Sequence, residues 1–514
     1  MLSITPETPV AIIGAGPVGL AAAAHLAEYG LPFVVLEAGP EAGHSVLSWG
    51  HVQLFSPWHY SLDKAALRLL EPAGWQAPDP ESYPTGRALV ERYLAPLAAH
   101  PAIAPHLQTG RRVAAITREG VDKLSNAGRE QTPFLLHIER ADGGEELLRA
   151  GAVLDASGTY GTPNPLGANG LPAIGERAAG SQIFYGIPDV LGAQRERYAG
   201  KRVLVAGSGH SAFNALLELA SLAQEASGTQ ITWAVRRGGE RMGQAYGGGA
   251  NDALPARGEL GQRIRTLVDA GVVTLVTGWR SDRVERTPEG LVVHAGARAL
   301  PPVDEIVVAT GLRPNLGMLA ELRLGLDPTV EAPTALAPLI DPNVHSCGTV
   351  RPHGVDELSH PEPGFYIVGM KSYGRAPTFL LLTGYEQARS VVAGLAGDWE
   401  AARRVELELP ETGVCSGPVA AGGASTASSC CGAAEPAFIE IAPRASLIEL
   451  APRGSAIAVA PVTAAVSSCC SVDAQSSCCE PEAKADCCGT AAVDTAATGE
   501  LVALATAGSS CGCQ

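Results

Sequence analysis

The stretch PVAIIGAGPVGLAAAAHLAEYGLPFVVLEAG, residues 9–39, leaves few folds open. An apolar run leads into glycines at Gly14, Gly16 and Gly19, a small-residue helical pattern follows, and a second apolar run ends at the acid Glu37. Three glycines at this spacing are weak evidence alone. Placed between a strand and a helix, with an acid after the next strand, they mark a dinucleotide-binding βαβ unit. Gly14 permits the tight turn, Gly16 lets backbone approach a pyrophosphate, and Gly19 lets the helix close on the sheet. The helix N-terminus faces the phosphate charge. Glu37 accepts hydrogen bonds from the ribose hydroxyls.

A second copy begins at Lys201 as KRVLVAGSGHSAFNALLELA, with Gly207 and Gly209 in place and Ala212 where the third glycine stands. No acid follows its next strand; Arg236 and Arg237 stand there, with Arg241 close by. Arginine at that point suits a ribose 2'-phosphate and favours NADPH over NADH. An arginine pair on a solvated loop is the alternative. The runs AVLDASGT (152–159) and DEIVVATGLRPN (304–315, with Gly311 in its turn) bracket this unit, and GFYIVGMKSYGRAPTFLLLTGYEQARSVVAGLAG (364–397) adds a further strand and helix. The expectation is an α/β protein with two Rossmann-like domains. The outer one comprises residues 1–165 and 300–410, the inserted one residues 180–299, and a tail occupies 411–514.

In this order of elements the chain resembles the flavin-containing (class B) monooxygenases over about residues 8–400. The resemblance implies FAD at Gly14, Gly16, Gly19 and Glu37, and NADPH at Gly207, Gly209, Arg236 and Arg237. It also implies FAD contacts from Trp49 and the Val113 backbone, with Gly311, Gly369 and Gln387 in the cofactor-facing turns and helix. O2 is then a co-substrate and a small soft nucleophile the acceptor. That family's Phe-x-Gly-x-x-x-His linker is broken here: Phe184 and Gly186 are present, but Val190 replaces the histidine. Related disulfide reductases need a cysteine pair near the flavin, and Cys347 is the sole cysteine before residue 411.

A formal net charge of −16 over 514 residues argues against nucleic acid or an anionic membrane as main partner. The apolar run near the start follows MLSITPETP, which lacks the positive charge of a signal peptide, and no run is long enough to span a bilayer. A cytoplasmic protein is expected. Ahead of the last strand lies a Pro/Gly-rich segment holding His345, Cys347, His353 and His360. Its irregular spacings match no usual zinc motif. Cys347 and His353 are the candidate catalytic or substrate-binding residues, with a plain structured loop as the alternative. The aromatic-rich run WGHVQLFSPWHYSLD (49–63) fits a substrate pocket or core packing.

Eleven of the 12 cysteines fall after residue 411, in a Gly/Ala/Ser-rich segment whose one aromatic residue is Phe438. Such composition cannot bury enough to offset ordering entropy, so a mostly flexible tail is expected, apart from the repeat FIEIAPR/LIELAPR. The vicinal pairs Cys430–Cys431, Cys469–Cys470, Cys478–Cys479 and Cys487–Cys488 read as soft-metal ligands, since adjacent cysteines make only strained disulfides. Trivalent arsenic is both thiophilic and a lone-pair nucleophile, and it links tail to core; the resemblance extends to flavin monooxygenases of arsenic-resistance clusters. Three readings stay open: a monooxygenase, a reductase acting on its own tail, and a soft-metal-binding protein on a flavoprotein scaffold.

Overall fold

The computed structural model describes residues 4–238, 246, 255–343, 351–376 and 379–407. Ten short strands build two parallel sheets: β1 (Val10–Ile13), β2 (Phe33–Leu36), β3 (Leu107–Gln108), β4 (Ala152–Asp155), β5 (Ile183–Tyr185), β6 (Arg202–Ala206), β7 (Gln230–Ala234), β8 (Val273–Val276), β9 (Glu305–Val308) and β10 (Phe365–Ile367). The first sheet runs β10-β4-β1-β2-β3 and the second β8-β7-β6-β9-β5. Every strand of the second sheet falls in sequence between β4 and β10 of the first. A parallel sheet covered on both faces needs strands that are apolar throughout. Accordingly β1, β2 and β4 bury all their residues. Registers are set by these runs, Val10 facing both Phe33 and Ala152 and Leu204 facing Ile306.

Four longer helices cover the sheets: α1 (Pro17–Glu28), α2 (His210–Glu225), α3 (Pro255–Asp269) and α4 (Leu381–Leu395). Ala21 to Ala24 in α1 are wholly buried because α4 and the helix Lys64–Leu70 pack against α1. Larger side chains have no room there, which explains the alanine run. An antiparallel three-stranded sheet (Arg111–Arg118, Phe134–Arg140, Glu145–Ala150) separates β3 from β4, and a second lies between β8 and β9. Among the described residues no helix is long and apolar enough to cross a membrane.

A buried ion cluster fastens the first of these small sheets. Glu362, just before β10, accepts from Arg118 Nε at 2.8 Å, Arg129 Nη2 at 2.8 Å and the Arg323 backbone at 3.0 Å. The three side chains are at most 2% exposed. Removing one partner from such a cluster strands uncompensated charge. Glu362→Gln keeps the shape and deletes the charge facing two guanidiniums. It should lower unfolding free energy by about 3–5 kcal/mol, read from the denaturant midpoint of the FAD-loaded protein.

Candidate functional site

Two cradles repeat one local construction. Gly14 has φ +97°, and a Cβ on it would sit 2.9 Å from the Ala156 carbonyl oxygen in the turn after β4. Gly207 has φ +134°, and a Cβ there would overlap the Ala309 carbonyl in the turn after β9. In each case the glycine lets one turn close on the next. By contrast, Gly16 and Gly209 have no atom within 4 Å of an added Cβ, and their φ values of −80° and −97° suit any residue. Backbone strain therefore does not require glycine at those two positions. An open face at a helix N-terminus, bare of side chain, fits a pyrophosphate.

The third positions differ for a visible reason. A Cβ on Gly19 would overlap the Gly14 carbonyl, whereas Ala212 is fully buried without such a clash. Glu37 is buried and spans the first cradle, Oε2 accepting from the Ala15 N–H and Oε1 from the Gly39 N–H, both at 2.7 Å. Arg236 and Arg237 are exposed beyond β7, and Arg236 Nη1 donates to the Ala168 carbonyl at 3.2 Å. Gly311 has φ +96°, its missing side chain facing Asn164. Trp49 packs over Gly86, and Val113 is buried beside the bulge of its strand.

The segment after β10 is held by a buried polar chain. Gly369 has φ +73° and lies against Val18 at the start of α1; its N–H donates to Gln387 Oε1 at 2.7 Å. Gln387 Nε2 donates to Ser372 Oγ and to His353 Nε2, each at 2.9 Å. His353 Nδ1 faces the Arg351 carbonyl at 3.0 Å, so Nδ1 carries the proton and Nε2 accepts. Both ring nitrogens are thus engaged, and burial lowers the His353 pKa. This geometry makes His353 a positioning residue for Gln387. Cys347, His345, Arg241 and the eight tail thiols Cys430, Cys431, Cys469, Cys470, Cys478, Cys479, Cys487 and Cys488 lie outside the described residues.

Sequence reasoning missed the ion pair beneath this segment. Lys371 Nζ meets Asp155 Oδ2 at 2.6 Å, and neither side chain is exposed. Ser157 Oγ donates to Asp155 Oδ1 at 2.6 Å and lies 3.1 Å from Lys371 Nζ. The pair locks the turn that receives Gly14 to the turn that carries Gly369. A lysine inside the otherwise apolar run YIVGMKSYG was the only available signal. The aromatic-rich run divides its work: Trp58 is core, Asp63 caps the helix Lys64–Leu70 and meets His25, and the Phe55 ring contacts His210 at the mouth of the second cradle.

The comparisons agree with this construction. Residues 9–187 match the family described as FAD dependent oxidoreductase. Over 322 residues the chain is 31% identical to ferredoxin–NADP reductase of Salinispora tropica, covering 62% of this chain and 79% of that protein. The chain belongs to the FAD-dependent oxidoreductase family that includes these reductases. A 217-residue stretch, 40% of the chain, is 32% identical to indole-3-pyruvate monooxygenase YUCCA1 of Oryza sativa subsp. japonica and covers 44% of it. Bacillithiol disulfide reductase from Bacillus cereus shares the fold, with a TM-score of 0.55 at 19% identity over 76% of this chain and 99% of that one. FAD and NADP(H) are the cofactors of this family of enzymes, and the two cradles fit them.

Filling an open cradle tests the fit without straining the backbone. Gly16→Leu should express folded but lose FAD, read from flavin absorbance per chain. Gly209→Leu should keep FAD and raise the KM for NADPH by at least about tenfold, a loss near 1.4 kcal/mol.

Burial also sets a pH response. His360 is pushed down to about 4, against an ordinary 6.5. Between those values the unfolded chain takes up a proton that the folded one refuses. Stability from this group is therefore present above pH 6.5 and lost as the pH falls towards 4, by at most about 1.4 kcal/mol per pH unit. His360→Gln should flatten the acid limb of a stability-against-pH curve by up to one proton.

Proposed function

We propose that this FAD-dependent oxidoreductase is an NADPH-dependent monooxygenase that places one oxygen atom of O2 on a soft small-molecule nucleophile. In this proposal residues 1–165 and the chain after β9 form the FAD domain; the inserted NADPH domain runs from 180 through β9, past the boundary at 299 expected from the sequence, because β9 pairs with β5 and β6. The carrying observation is the pair of matched cradles in a chain whose core segment, up to residue 410, has Cys347 as its one cysteine. A core without a thiol pair has no dithiol through which to pass electrons. They leave to something that comes to the flavin.

In this reading Gly14, Gly16 and the N-terminus of α1 bind the FAD pyrophosphate, and Glu37 takes the ribose hydroxyls. Gly207, Gly209 and α2 do the same for NADPH, with Arg236 and Arg237 on its 2'-phosphate. Gly369, Gln387 and His353 hold the segment along the flavin ring, and Lys371–Asp155 fixes the turn beneath it. Bound FAD supplies the two-electron chemistry between NADPH and O2. Overall, NADPH, a proton, O2 and substrate give NADP+, water and oxidised substrate.

Trivalent arsenic is the proposed substrate, because its lone pair accepts oxygen and the paired tail thiols suit its capture. A second reading rests on the Salinispora tropica relative, whose name places NADP and ferredoxin at its ends. Rapid-mixing experiments with and without O2 and arsenite separate the two. NADPH oxidation should accelerate at least about tenfold with arsenite only when O2 is present, with one arsenate formed per NADPH. Changing the tail cysteine pairs to serine should raise the arsenite requirement. Electron transfer to the tail without O2, or to a one-electron acceptor with no arsenate formed, would overturn the monooxygenase.

A further inference from the structure

Away from both cradles, side chains from three separate stretches meet. His51 comes from the aromatic-rich run, Asp189 from the segment after β5, and Glu218 from the middle of α2. One ring nitrogen of His51 and one carboxylate oxygen from each acid all lie within 4.8 Å of one another. His51 Nε2 is buried 4.0 Å from Glu218 Oε1 and has no hydrogen-bond partner among the described residues.

Each acid is held by a backbone N–H. Glu218 Oε2 accepts from the Val190 N–H at 3.0 Å, which leaves Oε1 facing the histidine. Asp189 Oδ2 accepts from the Ala193 N–H at 3.0 Å and keeps its other oxygen. Each acid thus has one oxygen held by a backbone N–H and one oxygen left over. Ligating carboxylates in proteins are themselves hydrogen-bonded in this way. Two carboxylates beside an imidazole lone pair repel in the absence of a cation.

We propose that His51, Asp189 and Glu218 form a divalent-cation site tying the 49–63 segment to α2. One imidazole nitrogen and two carboxylate oxygens suit first-row cations such as Mn2+, Fe2+ or Zn2+. Ligand atoms around such an ion stand roughly 3.4 Å apart, so small side-chain rotations close the group. The site is separate from the thiols of the tail, which select softer ions. It stands whether or not the oxygenase reading holds.

Mn2+ alone is the probe, because thiolates compete for it poorly. Free Mn2+ is followed by electron paramagnetic resonance as it is titrated into the full-length, FAD-loaded protein without NADP. The titration is run at pH 8, where Glu218, raised to about 7 by burial, is ionised. One Mn2+ per chain should bind, and His51→Gln and Glu218→Gln should each weaken it by at least about tenfold. Glu218→Gln keeps an acceptor for the Val190 N–H, so its fold is retained, and Mn2+ should raise the Tm of wild type but not of this variant. Tail cysteine-to-serine changes should leave the titration unaltered. Absence of binding below about 1 mM, or binding that both variants keep, would overturn the site.

Discussion

Everything at the two cradles depends on a backbone turn approaching a glycine more closely than a side chain would permit. Gly14 meets the Ala156 carbonyl and Gly207 meets the Ala309 carbonyl, each glycine at positive φ. These contacts bring the ends of β1 and β4, and of β6 and β9, to a common level at the helix N-termini. A methyl group at either position would push the turn away and tilt the helix that starts at the cradle. The chemistry attributed to the cradles follows from this clearance more than from any charged side chain.

The first cradle needs a second fastening, because its parts come from distant points in the chain. Lys371 and Asp155 are 216 residues apart, yet their ion pair joins the turn beneath Gly14 to the one carrying Gly369. Arg118 and Glu362, 244 residues apart, do the same for the small sheet beside it. Pairs so buried gain little over apolar replacements, but a half-made one is costly. They therefore penalise any arrangement in which the returning C-terminal segment misses its place, which suits a domain interrupted by residues that build another sheet.

The glycine spacing made both cradles legible, since a turn, a close approach and a helix N-terminus leave local marks. Gly369 and Gln387 followed from the resemblance, and the structure joins them by one hydrogen bond. The buried ion pairs were not legible: Asp155 sits in a quoted run, but nothing local names a partner 216 positions away. His353 illustrates a different limit. A histidine in a Pro/Gly-rich segment has the same sequence signature whether it faces a substrate or holds a glutamine, and only the engaged ring nitrogens distinguish the two. Val190, at the position where histidine was missed, is fully buried, and its N–H donates to Glu218.

The run from Trp49 to Asp63 deserves a place in the mechanism for what it touches on each side. Asp63 meets His25 of α1 at 3.2 Å and caps the next helix, while the Phe55 ring contacts His210 at a tilt at the first turn of α2. His51 faces Glu218 two turns further along the same helix. One short segment thus contacts the helices of both cradles. A shift of this run would change the spacing between α1 and α2, and under the proposed function, which seats one nucleotide at each helix, its packing would constrain a reaction whose rate depends on orientation.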